Sequence, residues 1–327
     1  MVLVTGGSGF LGSTLIDQLL LQDIPVRATR REESRIPELL LNRQGLEWVE
    51  ADLLDYFALE TAFVGITQVY HCAAQVSYHP AHRSSMMNTN VKGTAQVVNL
   101  CLQHQVRLVH VSSIAALGEG KDGSATTETD LWEFDPSLSA YSIAKYESEM
   151  EVWRGFSEGL KGVIVNPSLI IGASAGKRGS GAVFHLLAKG LRFYPGGSVG
   201  LVDVEDVAKA MIELMHREDI SEERFIISHV NMSHQDLLSQ CSVNLQLAAP
   251  KTKATPLMLE LAWRFSKLAE RLTGKRAALT KESARISSKK LHFSNAKLVK
   301  TLGFDFKPVD QTLQEICVQV RASQQKH

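Results

Sequence analysis

The chain has 327 residues, of which 44% are hydrophobic and 21% are charged, a globular composition that excludes intrinsic disorder and low-complexity repeats. Its 35 Lys and Arg residues balance its 35 Asp and Glu residues. The zero net charge argues against nucleic acid as the main partner, because binding phosphates requires a surplus of positive charge.

Other features of the sequence bear on membrane insertion, metal binding and cellular location. No apolar run reaches the roughly 20 residues that a spanning helix needs, so no transmembrane segment is predicted. The four cysteines lie far apart without a C-x-x-C pair, as in a reducing compartment, and the 11 histidines lack metal-ligand spacing, so no metal site is predicted. A strand pattern that begins at Val2 leaves no room for a signal peptide, which predicts a cytoplasmic location.

Strand patterns alternate with helical patterns along the first half of the chain. The alternation indicates βαβ units, whose right-handed crossovers place helices on both faces of a parallel sheet. The predicted fold is an α/β, doubly wound parallel sheet of the Rossmann type, with strand order 3-2-1-4-5-6 or an extension of it. Strands are predicted at residues 2–4, 25–29, 47–50, 69–72, 108–111 and 162–165, and helices include 11–21, 85–104 and 140–155.

The regular alternation of strand and helix patterns becomes weaker after residue 172. Residues 172–200 contain eight of the 23 glycines, and a strand pattern at 224–228 and helix patterns at 204–216 and 257–272 follow. We predict a dinucleotide-binding domain over residues 1–172, to which the chain returns at about 201–228. Residues 173–327 are predicted to form a smaller substrate-binding lobe, with a discontinuous boundary.

A glycine-rich turn follows the first strand and opens the first helix. Glycines at positions 6, 9 and 12 give the turn its torsion angles and let the backbone approach a pyrophosphate, which the helix N-terminus attracts. The string is weak evidence alone, but its place between a strand and a helix predicts a dinucleotide site rather than a plain turn. The predicted cofactor contacts in this turn are Thr5, Gly6, Gly9, Phe10, Leu11 and Gly12.

Two further positions bear on the cofactor. Asp52, followed by Leu53, stands at the end of the third strand, where an acid accepts from the adenine amino group or, alternatively, caps a helix. Arg30 and Arg31 end the second strand, where NAD-binding folds carry an acid and an Arg instead accommodates a 2′-phosphate. This pair favours NADP(H), with NAD(H) and a solvated charged loop as alternatives.

The catalytic hypothesis begins with Tyr141 and Lys145, which lie one helical turn apart. A phenol has an ordinary pKa near 10, which a neighbouring ammonium and a cationic nicotinamide would lower. Ser112 and Ser113 end the fifth strand, where catalytic groups collect beside a cofactor. An exposed helix face with a strand-end cap is the alternative interpretation.

With these motifs, the chain resembles the extended short-chain dehydrogenase/reductase family (the NAD(P)-dependent epimerase/dehydratase superfamily), closest to its dihydroflavonol-4-reductase-like branch. The resemblance covers nearly the whole chain and is specific for fold and cofactor, but weak for substrate. It rests on residues 5–12, 52–53, 71–74, 90–94, 112–113, 141–145, 166–168, 172, 203–208 and 302–304.

The resemblance implies a role for each matching residue. Tyr141 is expected to donate the proton to a carbonyl, and Lys145 to hold the nicotinamide ribose. Ser113 is expected to orient the carbonyl, because it precedes Gly118 by the family's spacing, and Asn90 to link Lys145 to water. The expected further cofactor contacts lie under the adenosine ribose (Ala73, Ala74) and beside the carboxamide (Pro167, Ser168).

At two places the chain departs from the sequence patterns of family members, and these differences narrow the range of expected substrates. Plant flavonoid reductases carry an Asn where this chain has Gly118, and sugar dehydratases carry an Asp-Glu pair where it has Ile114 and Ala115. We therefore predict an NADP-dependent oxidoreductase that reduces an aldehyde or ketone to an alcohol. The alternatives are a nucleotide-sugar epimerase with tightly bound NAD and, in a different class, a non-catalytic dinucleotide-binding sensor or scaffold.

Charge is unevenly distributed along the chain. Residues 251–300 contain 13 Lys and Arg but three acids, so this stretch carries 13 − 3 = +10 and the remainder −10. Within it, residues 257–272 form a basic amphipathic helix pattern, which is typical of a helix on a membrane surface or, more often, of one packed on its own lobe. We favour packing.

The helices at 85–104 and 140–155 also suggest an assembly. Members of the resembled family pair these helices across a twofold axis, and the first helix carries more apolar residues than one face needs. We expect a homodimer through them. The apolar residues concerned are Met86, Met87, Val91, Ala95, Val98, Cys101 and Leu102, with Ile143, Met150 and Trp153 on the second helix.

Overall fold

The architecture is that of a computed structural model, which describes residues 1–136, 138–176, 179–273 and 279–325. The strands are β1 Val2–Thr5, β2 Val26–Arg30, β3 Leu46–Glu50, β4 Gln68–His71, β5 Arg107–Val111, β6 Gly162–Pro167, β7 Leu169–Ile171, β8 Phe193–Tyr194, β9 Ser198–Asp203, β10 Glu223–Ile227, β11 Val230–Ser233 and β12 Thr252–Lys253. The helices are α1 Phe10–Leu20, α2 Tyr56–Phe63, α3 Arg83–Met87, α4 Gly93–His104, α5 Ala140–Ser157, α6 Ala182–Ala188, α7 Val204–His216, α8 His234–Leu245, α9 Pro256–Thr273, α10 Lys281–Ile286, α11 Ala296–Leu302 and α12 Val309–Gln325.

A seven-stranded parallel sheet forms the centre of the molecule, in the order β10-β6-β5-β4-β1-β2-β3. The predicted order 3-2-1-4-5-6 is confirmed, and β10 extends it beyond β6. Central strands such as β1 are buried along their whole length, because helices cover both faces.

The two faces of the sheet have separate apolar cores. Alternation along β1 places Val4 in one core and Leu3 in the other. The Val4 face is covered by α1 and α7, and the Leu3 face by α2, α4 and α5. This double winding brings the carboxyl ends of all the strands to one edge of the sheet, where the candidate site lies.

The second half of the chain adds smaller elements beside this edge. A three-stranded sheet has the order β11-β9-β7, and β8 pairs with β12. A third apolar core joins the small sheet to α6, α8 and α12. Within residues 201–228, α7 and β10 return to the main sheet, whereas β9 begins at Ser198 and belongs to the small one.

One structural prediction is wrong. Helix α9 matches the pattern at 257–272, but it does not bury its apolar face on its own lobe: no residue of α9 is buried, and five of its large apolar side chains are exposed. The other side of α9, which includes Trp263, Ser266 and Glu270, is half-buried. Among the described residues, no helix is long and apolar enough to cross a membrane.

The two helices predicted to form a dimer pack against each other within one chain. Val98 of α4 fills the space beside Gly155 of α5, where an added Cβ would lie 2.6 Å from Val98 Cγ1. Met86, Val98 and Cys101 are buried, so these residues are not part of a partner surface. Met87, Val91, Ala95 and Leu102 remain partly exposed, which narrows the proposed surface.

Candidate active site

The glycine turn between β1 and α1 is built by close approach of backbone. Gly6 adopts a φ of +69°, and a Cβ there would lie 2.7 Å from Ala73 Cα at the end of β4. A Cβ on Gly12 would lie 2.4 Å from the Gly6 carbonyl oxygen. The N-cap of α1 is Gly9, which provides no capping side chain, so the first N–H groups of the helix are available to an anion.

The ends of β1 and β4 are held together beneath this turn. Thr5 Oγ1 lies 2.7 Å from His71 Nδ1 and accepts a hydrogen bond of 3.3 Å from the Ala73 amide. The other nitrogen of His71 lies 3.1 Å from Thr94 Oγ1 on α4. Burial lowers the pKa of His71 to about 3, so the ring is neutral and serves as a structural bridge. Ala74, next to Ala73, is exposed.

Asp52 and Leu53 follow β3, at the edge of the sheet that holds the glycine turn. Asp52 Oδ1 accepts a hydrogen bond from the Leu54 amide at 2.8 Å, and the residue is exposed. The N-cap of α2 is Asp55, which binds the Ala58 amide, so Asp52 is not a helix cap. Leu53 is buried against Gly93, where a Cβ would lie 2.8 Å from the Leu53 Cβ.

The two arginines at the end of β2 have different surroundings. Arg30 pairs with Glu50 on β3, and its Nη1 donates to carbonyl oxygens of the loop that follows, including that of Glu32 at 3.0 Å. The side chain of Arg31 is 63% exposed and pairs with Glu33 at 3.2 Å. Arg30 therefore shapes the loop, and Arg31 presents its guanidinium to solvent.

Tyr141 and Ser113 lie together at the carboxyl end of β5. The Tyr141 phenol lies beside the Ser113 side chain, which acts on its pKa, and Ser113 Oγ accepts a hydrogen bond from the Ala115 amide at 3.2 Å. Burial raises the pKa of Tyr141 above its ordinary value, and the Ser113 hydrogen bond acts in the opposite direction. The sequence predicted a lowered pKa for Tyr141, but in the protein without a cofactor burial has the largest effect and raises this pKa.

Lys145 lies one turn after Tyr141 on α5 and is buried. Its Nζ donates a hydrogen bond of 2.9 Å to the carbonyl oxygen of Val111, at the end of β5. Burial lowers the pKa of Lys145 to about 8, while Cys72 and Glu149 act to raise it. Lys145 therefore loses its proton at a lower pH than an exposed lysine does, and a group that stabilises the positive charge would help Lys145 to keep its proton.

Asn90 occupies a π-helical turn, Asn88–Lys92, that joins α3 to α4. Its Oδ1 accepts a hydrogen bond from the Gln75 amide at 2.7 Å, and its Nδ2 donates to the Gln75 carbonyl at 2.9 Å. Single π turns often occur at functional sites. Here the turn fastens the loop after β4 to the helix, and among the described residues Asn90 has no hydrogen bond with Lys145.

Comparisons with known proteins identify the family to which the chain belongs. The family model of the NAD dependent epimerase/dehydratase family matches residues 2–228. The chain belongs to this family. The resemblance to extended short-chain dehydrogenases and to their dihydroflavonol-4-reductase-like branch is confirmed, and the chain is an NAD(P)-dependent dehydrogenase/reductase.

Several relatives match most of the chain. A protein of Synechocystis sp. named putative dihydroflavonol 4-reductase is 31% identical over 95% of this chain and 91% of its own length. Cinnamoyl-CoA reductase 1 of Petunia hybrida is 29% identical over 96% of this chain and 90% of its own. Among solved structures, gox2253 is 27% identical with a TM-score of 0.84, covering 99% of this chain and 98% of that one. A UDP-glucose 4-epimerase of Thermotoga maritima, at 22% identity and a TM-score of 0.80 over 99% of both chains, shares the fold.

In this epimerase/dehydratase-family chain, the sequence interpretation missed a buried polar network under the site. Glu149, one turn after Lys145, is fully buried, and both of its oxygens accept hydrogen bonds. The donors are Ser112 Oγ at 2.6 Å, Asn166 Nδ2 at 2.8 Å, Arg224 Nη1 at 3.0 Å and Trp153 Nε1 at 3.3 Å. The repeat of polar residues at 141, 145 and 149 was the only sequence signal for it.

The network reaches Ser113 through Asn166. The Asn166 side chain, at the end of β6, donates both to Glu149 and to the carbonyl oxygen of Ser113, the latter at 3.0 Å. The Ser112 hydroxyl is used by Glu149, so of the two serines only Ser113 contacts the phenol of Tyr141. The backbone position of Ser113 is thus fixed by a carboxylate that does not touch the site itself.

The segment after β6 contributes Pro167 and Ser168. Pro167 ends β6, and Ser168 is buried, with its amide donating to the Ile227 carbonyl. The Ser168 hydroxyl has no hydrogen-bond partner within the described part of the chain, which is unusual for a buried polar group. The described residues contain no group of three or more His, Cys, Asp or Glu side chains that would hold a metal.

Proposed function

We propose that the protein is an NADP(H)-dependent reductase that converts an aldehyde or a ketone to an alcohol, with Tyr141 as the proton donor. The observation that carries the proposal is that Tyr141 and Lys145 of α5 meet Ser113 at the carboxyl end of β5, on the edge of the sheet that also holds the glycine turn. Lys145 lies one turn further along the same helix, with its ammonium buried beside them. The reductase names of the similar proteins support the direction of the reaction.

The residues fit a dinucleotide on structural grounds. Side chains at Gly6 and Gly12 would collide with the backbone of Ala73 and of Gly6, so the glycines permit the tight turn that a pyrophosphate-binding loop requires. Asp52 and Leu53 would border the adenine, and Ala73 and Ala74 the adenosine ribose. The unpartnered hydroxyl of Ser168, next to Pro167, would find its partner in the carboxamide.

The chemistry divides between the cofactor and the side chains. When bound, the reduced nicotinamide supplies a hydride to the carbonyl carbon. Ser113 holds the carbonyl oxygen, and Tyr141 gives that oxygen its phenolic proton, so that hydride and proton together yield the alcohol. The buried ammonium of Lys145 would hold the ribose hydroxyls and stabilise the phenolate that remains. We propose that Asn90 orders the loop after β4 and the water that returns the proton.

The choice of NADP(H) rests on the two arginines. No acid stands at the end of β2, and Arg31 offers exposed donors suited to a 2′-phosphate. Arg30 supports this by fixing the loop through three of its carbonyl oxygens. An acid at this position would instead repel the phosphate.

The test is reduction of a carbonyl panel, followed by the loss of nicotinamide absorbance. The panel includes simple aldehydes and ketones, a dihydroflavonol and cinnamoyl-CoA, because two similar proteins carry the names of the latter substrates. We expect Tyr141→Phe to lower kcat/KM by about 10²- to 10⁴-fold. Tyr146→Phe is the matched control, since Tyr146 lies on the same helix and stacks on Trp132 instead.

Three results would contradict the proposal. Equal activity of Tyr141→Phe and the wild type would remove the phenol from the reaction. A purified protein that retains NAD(H) through dialysis, and interconverts nucleotide sugars without net oxidation, would instead be an epimerase. Binding of the dinucleotide with no turnover of any carbonyl would indicate a sensor or scaffold.

A further inference from the structure

Helix α9 presents a continuous apolar stripe to solvent. The helix rests on the remainder of the chain through one side, on which Trp263, Ser266 and Glu270 are half-buried. Ser266 Oγ accepts from the Leu279 amide at 3.2 Å, and Glu270 lies 3.1 Å from His79 Nε2. The stripe occupies the other side, where five side chains are 44% to 78% exposed: Leu257, Leu261, Phe265, Leu268 and Leu272.

The geometry of the helix makes this stripe one surface. At 100° per residue, the five side chains fall within an arc of about 80°, along a helix about 27 Å long. Single exposed apolar residues are common on protein surfaces, but a contiguous row of large ones marks a site of interaction. The row also includes an aromatic residue, Phe265, near its middle.

Basic residues border the stripe along one edge. Arg264, Lys267 and Arg271 lie within about 80° of its margin on the same helix. Arg264 pairs with Glu260 at 2.8 Å, and Lys267 and Arg271 have no ion pair within the described part of the chain. Residues 251–300 carry +10 in all, although Lys275 and Arg276 lie outside the described residues. An occupant of this surface should therefore be both apolar and negatively charged.

A second copy of the chain satisfies only the first of these conditions. Met258 and four residues of the stripe alternate at spacings of three and four, as in a coiled-coil seam. The positions that flank such a seam hold Arg264 and Arg271 on one side and Ala262 and Ala269 on the other. An antiparallel pair of these helices would set arginines against arginines, and a parallel pair would set them against alanines. Neither arrangement places an acid opposite a base, so charge does not favour self-association.

We propose that α9 docks the protein on the surface of an anionic lipid bilayer. The apolar stripe would lie in the boundary between headgroups and acyl chains, and the bordering bases would contact lipid phosphates. The helix is linked to the candidate site through the loop after β4. Glu270 binds His79, and the ring of the neighbouring Tyr78 packs 5.6 Å from that of Tyr141. Docking would therefore bring the loop that contacts Tyr141 close to the bilayer.

The experiment is co-sedimentation of the full chain with two kinds of vesicle, phosphatidylcholine alone and an equal mixture of phosphatidylcholine and phosphatidylglycerol. We expect the wild type to bind the anionic vesicles at least about tenfold more tightly than the neutral ones, with the difference shrinking at high salt. Binding that is absent from anionic vesicles, or equal for both compositions, overturns the proposal.

Two variants and a matched control locate the surface. Phe265→Glu with Leu268→Glu should lower anionic vesicle binding by at least about tenfold, because charges replace the inserted side chains. Lys267→Gln with Arg271→Gln should remove most of the preference for phosphatidylglycerol. The control, Val243→Glu with Val318→Glu, adds the same charge at exposed apolar positions on α8 and α12 and should bind like the wild type.

Circular dichroism and thermal unfolding verify that each variant is folded, which is expected because every changed side chain on α9 is exposed. If the control variant loses binding as strongly as the α9 variant, net charge alone is responsible and the proposal is wrong. If the wild type sediments as a dimer in buffer and Phe265→Glu with Leu268→Glu makes it a monomer, the surface belongs to a second copy, and the proposal is equally wrong.

Discussion

Glu149 and Arg224 form an ion pair of 3.0 Å in which the carboxylate has no contact with solvent and the guanidinium is 12% exposed. The pair joins α5, which carries Tyr141 and Lys145, to the edge strand β10. Arg224 also donates to the carbonyl of Glu128, at 2.8 Å. The charge contact between Glu149 and Arg224 therefore connects α5, the edge strand β10 and the loop after β5.

The first prediction follows from the donors around Glu149. Each oxygen of the Glu149 carboxylate accepts hydrogen bonds from two donors. Glu149→Gln replaces one oxygen with an N–H₂ group, which faces two donors without an acceptor, and it leaves Arg224 without a counter-charge. Breaking a buried pair costs about 3–5 kcal/mol. We expect the free energy of unfolding in urea to fall by that amount.

The same substitution should affect catalysis through Ser113. Asn166 holds Ser113 only while Glu149 holds Asn166, so we expect kcat to fall about tenfold or more with little change in KM. The control is Glu151→Gln, which breaks the partly exposed pair of Glu151 with Arg154 on the same helix and should cost less than about 1 kcal/mol. If Glu149→Gln and Glu151→Gln lowered kcat and the free energy of unfolding by similar amounts, Glu149 would have no specific role in positioning Ser113.

A second prediction concerns pH and cofactor affinity. Lys145, with a pKa of about 8, is an ammonium below that pH and a neutral amine above it. The cofactor favours the charged form, so NADPH affinity should fall as pH rises through about 8, by up to about tenfold per unit. Fluorescence titration at a series of pH values measures this. Lys145→Met should bind more weakly at neutral pH and show no such decline, and a decline that persists in the variant would exclude Lys145 as its source.

A third prediction separates the two arginines at the end of β2. Arg31→Ala should lower the affinity for NADPH about tenfold and leave that for NADH unchanged, since it removes only an exposed phosphate donor. Arg30→Ala should weaken both, because the loop loses its carbonyl contacts. Arg43→Ala is the control, as Arg43 pairs with Asp17 in the middle of α1. Tighter binding of NADH than NADPH by the wild type would show the NADP(H) assignment to be wrong.

The sequence predicted the parts of the site that depend on local pattern. Strand ends and helix spacing are properties of short segments, so the glycine turn, the place of Ser113 at the end of β5 and the turn from Tyr141 to Lys145 follow directly from residue order. The strand order also follows, because crossovers of one hand leave few arrangements of a parallel sheet. These features need no knowledge of distant contacts.

The features that were missed depend on contacts between distant residues. In the sequence, Glu149 is one of several acids on α5 and nothing distinguishes it from the others. Its partner Arg224 lies 75 residues away. The same limit explains α9: the periodicity of residues 257–272 identifies an amphipathic helix, but no pattern shows whether another element covers its apolar side. Likewise, the sequence does not show that Arg30 pairs with Glu50, because Glu50 lies on the neighbouring strand β3.

The last prediction tests the homodimer. The outward side of the helix formed by α3, the π turn and α4 carries Met87, Val91 and Ala95 at spacings of four, each partly exposed. We propose that this stripe and the partly exposed Met150 and Trp153 of α5 meet their symmetry mates across a twofold axis. Sedimentation equilibrium at micromolar concentration should then show a dimer of twice 36.0 kDa.

Substitution of this stripe should abolish the dimer. Met87→Glu with Val91→Glu places four carboxylates in one symmetric interface, and burying each without a partner costs several kcal/mol, so a monomer is expected. Val98 is unsuitable for this test, because it packs on Gly155 inside one chain and its change would damage the core. Phe265→Glu with Leu268→Glu on α9 is the matched control and should remain dimeric. A monomeric wild type, or a dimer that survives Met87→Glu with Val91→Glu, would move the interface elsewhere or remove it.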